Sequence, residues 1–149
     1  MNLTAIIEVT QNCNLKCNFC LRPSFTLPIM KKDILEKIVA HIIENCDKRA
    51  DFIWHGGEPL IAGLKFFKDI PALQQKYNIK NLMIKNNIQT NATMLNKEYM
   101  EFFQREKFDI GTSIQGTQEM HDESRFTTKG RPTYYQVISN ISQLDKEVS

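Results

Sequence analysis

Three cysteines stand within eight residues, as Cys13-x-x-x-Cys17-x-x-Cys20. Thiolates are the usual ligands of iron–sulfur clusters, and a four-iron cluster asks for four of them. A loop that supplies three leaves one iron open, where a small molecule can bind the metal and receive an electron. Zinc is the alternative: a structural zinc wants a closed tetrahedral set, usually two pairs of Cys or His some distance apart. Cys46 or His41 would have to complete that set, and both fall on a helical pattern with no second CxxC-like knuckle. Ordinary free thiols are the third reading. Further along, Gly56-Gly57 precedes Glu58-Pro59. Two glycines alone read as a plain turn, but a glycine pair after a strand also lets backbone approach a ligand with no Cβ in the way.

The run Glu8-Val9-Thr10-Gln11-Asn12-Cys13-Asn14-Leu15-Lys16-Cys17, with Phe19 before Cys20, resembles the opening of radical S-adenosylmethionine (SAM) enzymes. Trp54-His55-Gly56-Gly57-Glu58-Pro59-Leu60 resembles the glycine-rich motif that holds the SAM methionine group in that family. Thr112-Ser113-Ile114-Gln115-Gly116, then His121-Asp122-x-x-Arg125, is similar to the next landmark in the branch that modifies peptides and proteins, which includes the anaerobic sulfatase-maturing enzymes. The motifs occur in the family's order and cover nearly the whole chain.

This resemblance implies a site. Cys13, Cys17 and Cys20 would ligate a 4Fe-4S cluster whose open iron takes the amino and carboxylate groups of SAM. One electron would then split a carbon–sulfur bond to give a 5′-deoxyadenosyl radical, chemistry that belongs to the cofactors and is aimed by the protein. Phe19 would lie against SAM near the cluster, with packing in the core as its bland alternative. Gly56, Gly57 and Glu58 would engage the SAM ammonium. Ser113 and Arg125 are candidates for the SAM carboxylate, since a hydroxyl and a guanidinium both donate to such an anion. Asn91 would reach the ribose or adenine, or serve only as a turn residue. Gln115 stands where the family commonly carries Asp. His55 faces the substrate as a proton carrier, or is simply hydrogen-bonded at a strand end. His41 reads as a helix-surface residue and Cys46 as a buried or partly buried thiol.

The elements that must position these residues alternate between strand and helix, which argues for βα units on a parallel sheet. Apolar runs place strands at residues 3–9, 51–54, within 81–89, and at 108–114. Ile34, Leu35, Ile38, Val39, Ile42 and Ile43 recur at helical spacing over 31–46. Leu64, Phe66, Phe67 and Ile70 open a second helix, which Pro71 must kink or restart, because its ring cannot continue the bonding ladder. Asn96 caps a third helix, and Tyr134, Val137, Ile138, Ile141 and Leu144 mark a fourth with Pro132 near its start. Each motif then falls just past the C-terminal end of a strand, the face on which α/β barrels build their sites.

The fold class is therefore α/β: a parallel sheet of about four βα units, an incomplete radical SAM partial TIM barrel. Residues 1–149 would form the N-terminal portion of the core domain, since the family core usually has six such units and its peptide-modifying branch often adds a C-terminal domain with further clusters. Strand four would be an exposed edge. Length, 42% apolar and 24% charged content suit one globular domain. A net charge of +2 with no basic run gives no case for nucleic acid or a membrane surface. No apolar stretch approaches bilayer length and no signal peptide is evident, so the clustered cysteines suggest a reducing, cytoplasmic setting. The expected function is hydrogen-atom abstraction from a peptide or protein substrate, with an electron donor such as flavodoxin or ferredoxin. A catalytically incompetent iron–sulfur fragment or interaction module, and a small zinc protein, are the rival readings.

Overall fold

A computed structural model describes residues 1–22 and 27–144. The order is β1 (Asn2–Thr10), α1 (Lys32–Glu44), β2 (Arg49–Gly56), a 3-10 turn (Pro59–Ala62), α2 (Leu64–Tyr77), β3 (Met83–Thr90), α3 (Lys97–Arg105), β4 (Phe108–Thr112), α4 (Gln118–Ser124) and α5 (Tyr134–Leu144). The four strands form one open sheet in the order β1-β2-β3-β4, every pair parallel. Each strand thus pairs with its predecessor in sequence, and β1 and β4 are the edges. No helix among the described residues is long and apolar enough to cross a membrane.

Strand alternation divides the sheet into two unlike faces. One face carries Ile7, Val9, Phe52, Trp54, Ile88 and Phe108 into a single core with Leu35, Val39 and Ile43 of α1, Phe67 and Ile70 of α2, and Phe102 and Phe103 of α3. Aromatic packing ties α2, α3 and β4: Phe67 meets Phe103 edge-on at 5.4 Å, and Phe108 lies tilted against Phe103 at 5.2 Å. The opposite face bears Glu8, Asp51, His55, Lys85, Asn87, Gln89 and Asp109, crossed by the ion pairs Arg49–Asp51 at 2.9 Å and Lys85–Asp109 at 3.1 Å. It is mostly polar, although Ile6 and Met83 are exposed on it as well.

The four expected strands and four expected helices are present, with β2 longer than its apolar run. Asn96 caps α3, its side chain accepting from the Tyr99 N–H at 3.1 Å. The helix that Pro71 was expected to kink or restart runs through it as one element. The ring removes one bond from the ladder, but Phe67 and Ile70 before it and Leu73 and Gln74 after it are all buried. Packing on both sides holds the two halves on one face. Gln74 also exchanges two hydrogen bonds with Asn86, at 2.8 and 2.9 Å, and Asn86 accepts from the Trp54 indole at 2.9 Å. That buried polar knot is satisfied within itself. The short helix α4 is an addition to what the sequence pattern suggested.

Candidate active site

The candidate residues gather at the C-terminal end of the sheet. The cysteine loop follows β1, Gly57 and Glu58 follow β2, Asn91 follows β3 and Ser113 follows β4. Helix α1 runs back toward the other end, so Cys46, fully buried in the core, and the exposed His41 lie far from the three clustered thiols. The closed zinc set that needed one of them is not formed. Among the described residues no three His, Cys, Asp or Glu groups are placed to hold a single metal ion.

All four cysteines are free, and Cys13, Cys17 and Cys20 range from half-buried to exposed. Burial raises the Cys13 thiol above its ordinary range, opposed by the Leu15 N–H that bonds its sulfur. Burial also raises Cys17, and the Arg125 guanidinium pulls it the other way. Cys17 also feels the charge of Cys13 and Cys20, and Cys13 that of Glu58 and Cys20, each pushing the thiol up. A cationic centre among them would relieve both effects, because thiolates are the ligating form. The donor set therefore fits a cluster ligated by three thiolates.

Two structures hold this loop. On one side, β2 ends in Gly56 and Gly57, whose backbone abuts the loop: Gly57 N–H donates to Thr10 O at 2.8 Å and Glu58 N–H to Asn12 O at 2.7 Å. A Cβ on Gly57 would lie 2.1 Å from the Asn12 carbonyl oxygen, and one on Gly56, at φ +138°, would lie 2.2 Å from that of Thr10. On the Cβ side of both glycines the freed space is taken by the protein's own backbone. Asn12 also clasps the Leu27 backbone with paired bonds of 2.6 and 2.7 Å.

Glu58 also turns its carboxylate inward. It is fully buried, and its carboxylate accepts from Leu60 N–H at 3.0 Å, the Thr90 hydroxyl at 2.7 Å and Asn91 N–H at 2.8 Å. It caps the 3-10 turn and ties β2 to β3. Burial still raises its carboxyl above the usual range, despite those three donors. Asn91 behaves as a turn residue: its Oδ1 accepts from the backbone and hydroxyl of Thr93 at 3.0 and 2.7 Å. Its Nδ2 donates to Asn14 at 2.9 Å and approaches the Cys13 sulfur at 3.8 Å.

On the other side, the segment after α4 is stitched to the loop. Lys16 N–H donates to Phe126 O at 2.8 Å, Asn18 N–H to Ser124 O at 3.1 Å, and the Asn18 amide to Glu123 O at 3.1 Å. Leu15 and Thr127 form an antiparallel bridge. This brings Arg125 over Phe19, 5.1 Å from guanidinium carbon to ring centroid. Phe19 is 51% exposed and thus no core residue. The Arg125 Nε–H donates to the side-chain oxygen of Gln115. Among the described residues no carboxylate pairs with Arg125. Ser113 is half-buried, within 3.4 Å of the Gln89 amide. His55 accepts from the next backbone N–H at 2.7 Å, on the open face opposite Glu8.

Sequence reasoning gave no role to Asn12, Gln89, Thr93 or Thr133, and quoted His121 only inside a motif. A legible signal for α4 was Thr117, whose hydroxyl accepts from Met120 N–H at 3.4 Å as a cap.

Family comparison agrees with this geometry. A model of the Radical SAM superfamily matches residues 7–148, and the chain belongs to that superfamily. It is 36% identical over 139 residues to a cysteine-type anaerobic sulfatase-maturating enzyme of Clostridium perfringens (strain 13 / Type A), covering 89% of this chain and 38% of that protein. It is 37% identical over 142 residues to a serine-type anaerobic sulfatase-maturating enzyme of Bacteroides thetaiotaomicron, covering 90% of this chain and 34% of the relative. A solved structure described as native anSMEcpe with bound AdoMet and Cp18Cys peptide superposes with a TM-score of 0.92 at 33% identity, over 98% of this chain and 40% of that one. The chain spans less than half the length of these relatives.

Proposed function

We propose that residues 1–149 are the N-terminal portion of the core domain of a radical SAM enzyme that acts on a peptide or protein. Cys13, Cys17 and Cys20 would hold a 4Fe-4S cluster, and SAM would bind beside it. Together these groups supply reductive cleavage of SAM and hydrogen-atom abstraction from a substrate residue. The chain's own residues bind and orient. The Gly56-Gly57 strand end fixes the cysteine loop from below, and Glu58 and Asn91 fix the turns on either side of it. Phe19 offers an aromatic face beside Cys20, and Ser113 and Arg125 supply the donors for the SAM carboxylate.

The observation that carries this reading is Arg125. It is drawn to the cysteine loop, stacked on Phe19 and paired with no described carboxylate, so its charge is available to an anion next to the thiols. The polar open face of the sheet, with His55, Asn87 and Gln89, supports access by a polar chain such as a peptide. The similarity to sulfatase-maturating enzymes of both the cysteine and serine types supports a protein residue as the site of reaction. An electron donor of the flavodoxin or ferredoxin kind and a reducing, cytoplasmic compartment complete the proposal, supported by four unpaired cysteines.

Anoxic reconstitution with iron and sulfide, followed by reduction and electron paramagnetic resonance, tests it. The expected result is a four-iron signal that changes when SAM is added. A cluster signal indifferent to SAM would favour the incompetent-fragment reading, and retention of zinc with no cluster would overturn the proposal.

A further inference from the structure

His121 is 1% exposed although it sits on a seven-residue helix whose neighbours are mostly polar. Its ring makes three contacts that matter. Nε2 lies 3.1 Å from the Thr133 hydroxyl. That hydroxyl donates its one hydrogen to the Arg125 carbonyl, at 2.9 Å, and a carbonyl cannot donate in return. Thr133 must therefore accept from His121, which places the hydrogen on Nε2 and leaves Nδ1 as an acceptor. Nδ1 receives the Gln115 N–H at 3.5 Å. The ring edge packs against Tyr134, with centroids 5.6 Å apart.

Arg125 is thus gripped at three points by groups that His121 organises. Its N–H donates to His121 O at 2.7 Å, its carbonyl is held by Thr133, and its Nε–H is held by Gln115. Asp122 secures the far side, accepting from the N–H groups of Thr133 and Tyr134, each at 2.9 Å. Both partners that aim the guanidinium, Gln115 and His121, are neutral.

We propose that His121, as the neutral Nε2–H tautomer, is the positioning residue for Arg125, orienting it through Gln115 and Thr133 while leaving its charge free for an anion beside the cysteine loop. The role of that anion rests on the SAM-carboxylate reading above; the positioning itself does not.

Two measurements separate the claims. In metal-free protein, Arg125 Nε–H and Trp54 Nε1–H exchange with solvent are followed by NMR, the tryptophan reporting the core through its bond to Asn86. His121→Ala should speed exchange at Arg125 about tenfold or more and leave Trp54 unchanged, since only the local grip is lost. His121→Gln, which keeps a donor toward Thr133, should restore part of the protection. In reconstituted protein, the SAM concentration that half-saturates the spectral change should rise about tenfold in His121→Ala, with iron content unaltered. Unchanged Arg125 exchange in both variants would overturn the positioning role, as would equal acceleration at Arg125 and Trp54. If wild-type protein shows no response to SAM, the functional reading fails, and the exchange data alone decide the role of His121.

Discussion

The turn after β2 and the segment after β4 both deliver a charged residue to the same end of the sheet, and they do so by opposite means. At residues 56–60 the glycine Cβ sides and the charged group are turned inward. The glycines are filled against backbone, and the Glu58 carboxylate is buried under three donors. At residues 113–125 the charged group is half-buried, held by neutral partners and left with its charge uncompensated. The first region is a foundation; the second, on the function proposed above, presents a charge to a ligand. A charge that supports structure is enclosed and saturated, and a charge that is to meet a ligand is aimed but not neutralised.

The largest effect should come from the foundation. Gly57→Ala puts a Cβ against the Asn12 backbone, which cannot rotate away as a flexible side chain would. It should cost about 3 kcal/mol or more and abolish iron retention, checked by chemical unfolding and iron analysis. Glu58→Gln comes next: its amide presents a donor to one of three donors now satisfied, at a cost of about 1–3 kcal/mol.

Acid should separate the two regions by sign. Burial raises Glu58 above 4.5, so folded protein binds the proton more tightly than unfolded protein. Its contribution therefore grows more favourable as pH falls from the raised value toward 4.5. His121 is lowered from 6.5 by burial first and by Arg125 as well, with Asp122 opposing. Its contribution is complete above about 6.5 and is lost as pH falls through the lowered value. The stability difference between wild type and Glu58→Gln should accordingly shift toward wild type on acidification, while Arg125 Nε–H protection should decline. Parallel behaviour of the two would erase the distinction.

Gln115→Ala sharpens it further. Removing the acceptor of the Arg125 Nε–H leaves the guanidinium unaimed and should weaken the spectral response to SAM about tenfold while leaving the cluster loaded. Phe19→Ala should have the smallest effect, about 0.5–1 kcal/mol for a half-exposed cation–π contact, read as faster alkylation of Cys17 and Cys20.

The same contrast explains what was legible in the sequence. Apolar runs and helical spacing located the four strands and the larger helices because those residues face one continuous core. The three cysteines and their order relative to Gly56, Ser113 and Arg125 were also plain. The buried polar residues were not. Glu58, Asn86, Gln74 and His121 read as surface by type, yet each is enclosed because a partner distant in sequence satisfies it. Helix α4 was missed for that reason: its buried position is a histidine, so no apolar stripe marks it. The glycine pair was legible as a close approach, but what approaches is set by register between β1 and β2.

The stitches between the cysteine loop and residues 123–127 bear on the order of assembly. Every strand pairs with the one made just before it, so the sheet can grow in step with synthesis from low-entropy, nearby closures. Asn18 and Glu123 are 105 residues apart. The thiols are therefore synthesised well before the backbone that closes over their loop. Until α4 is complete, the cysteine loop is secured on one side only.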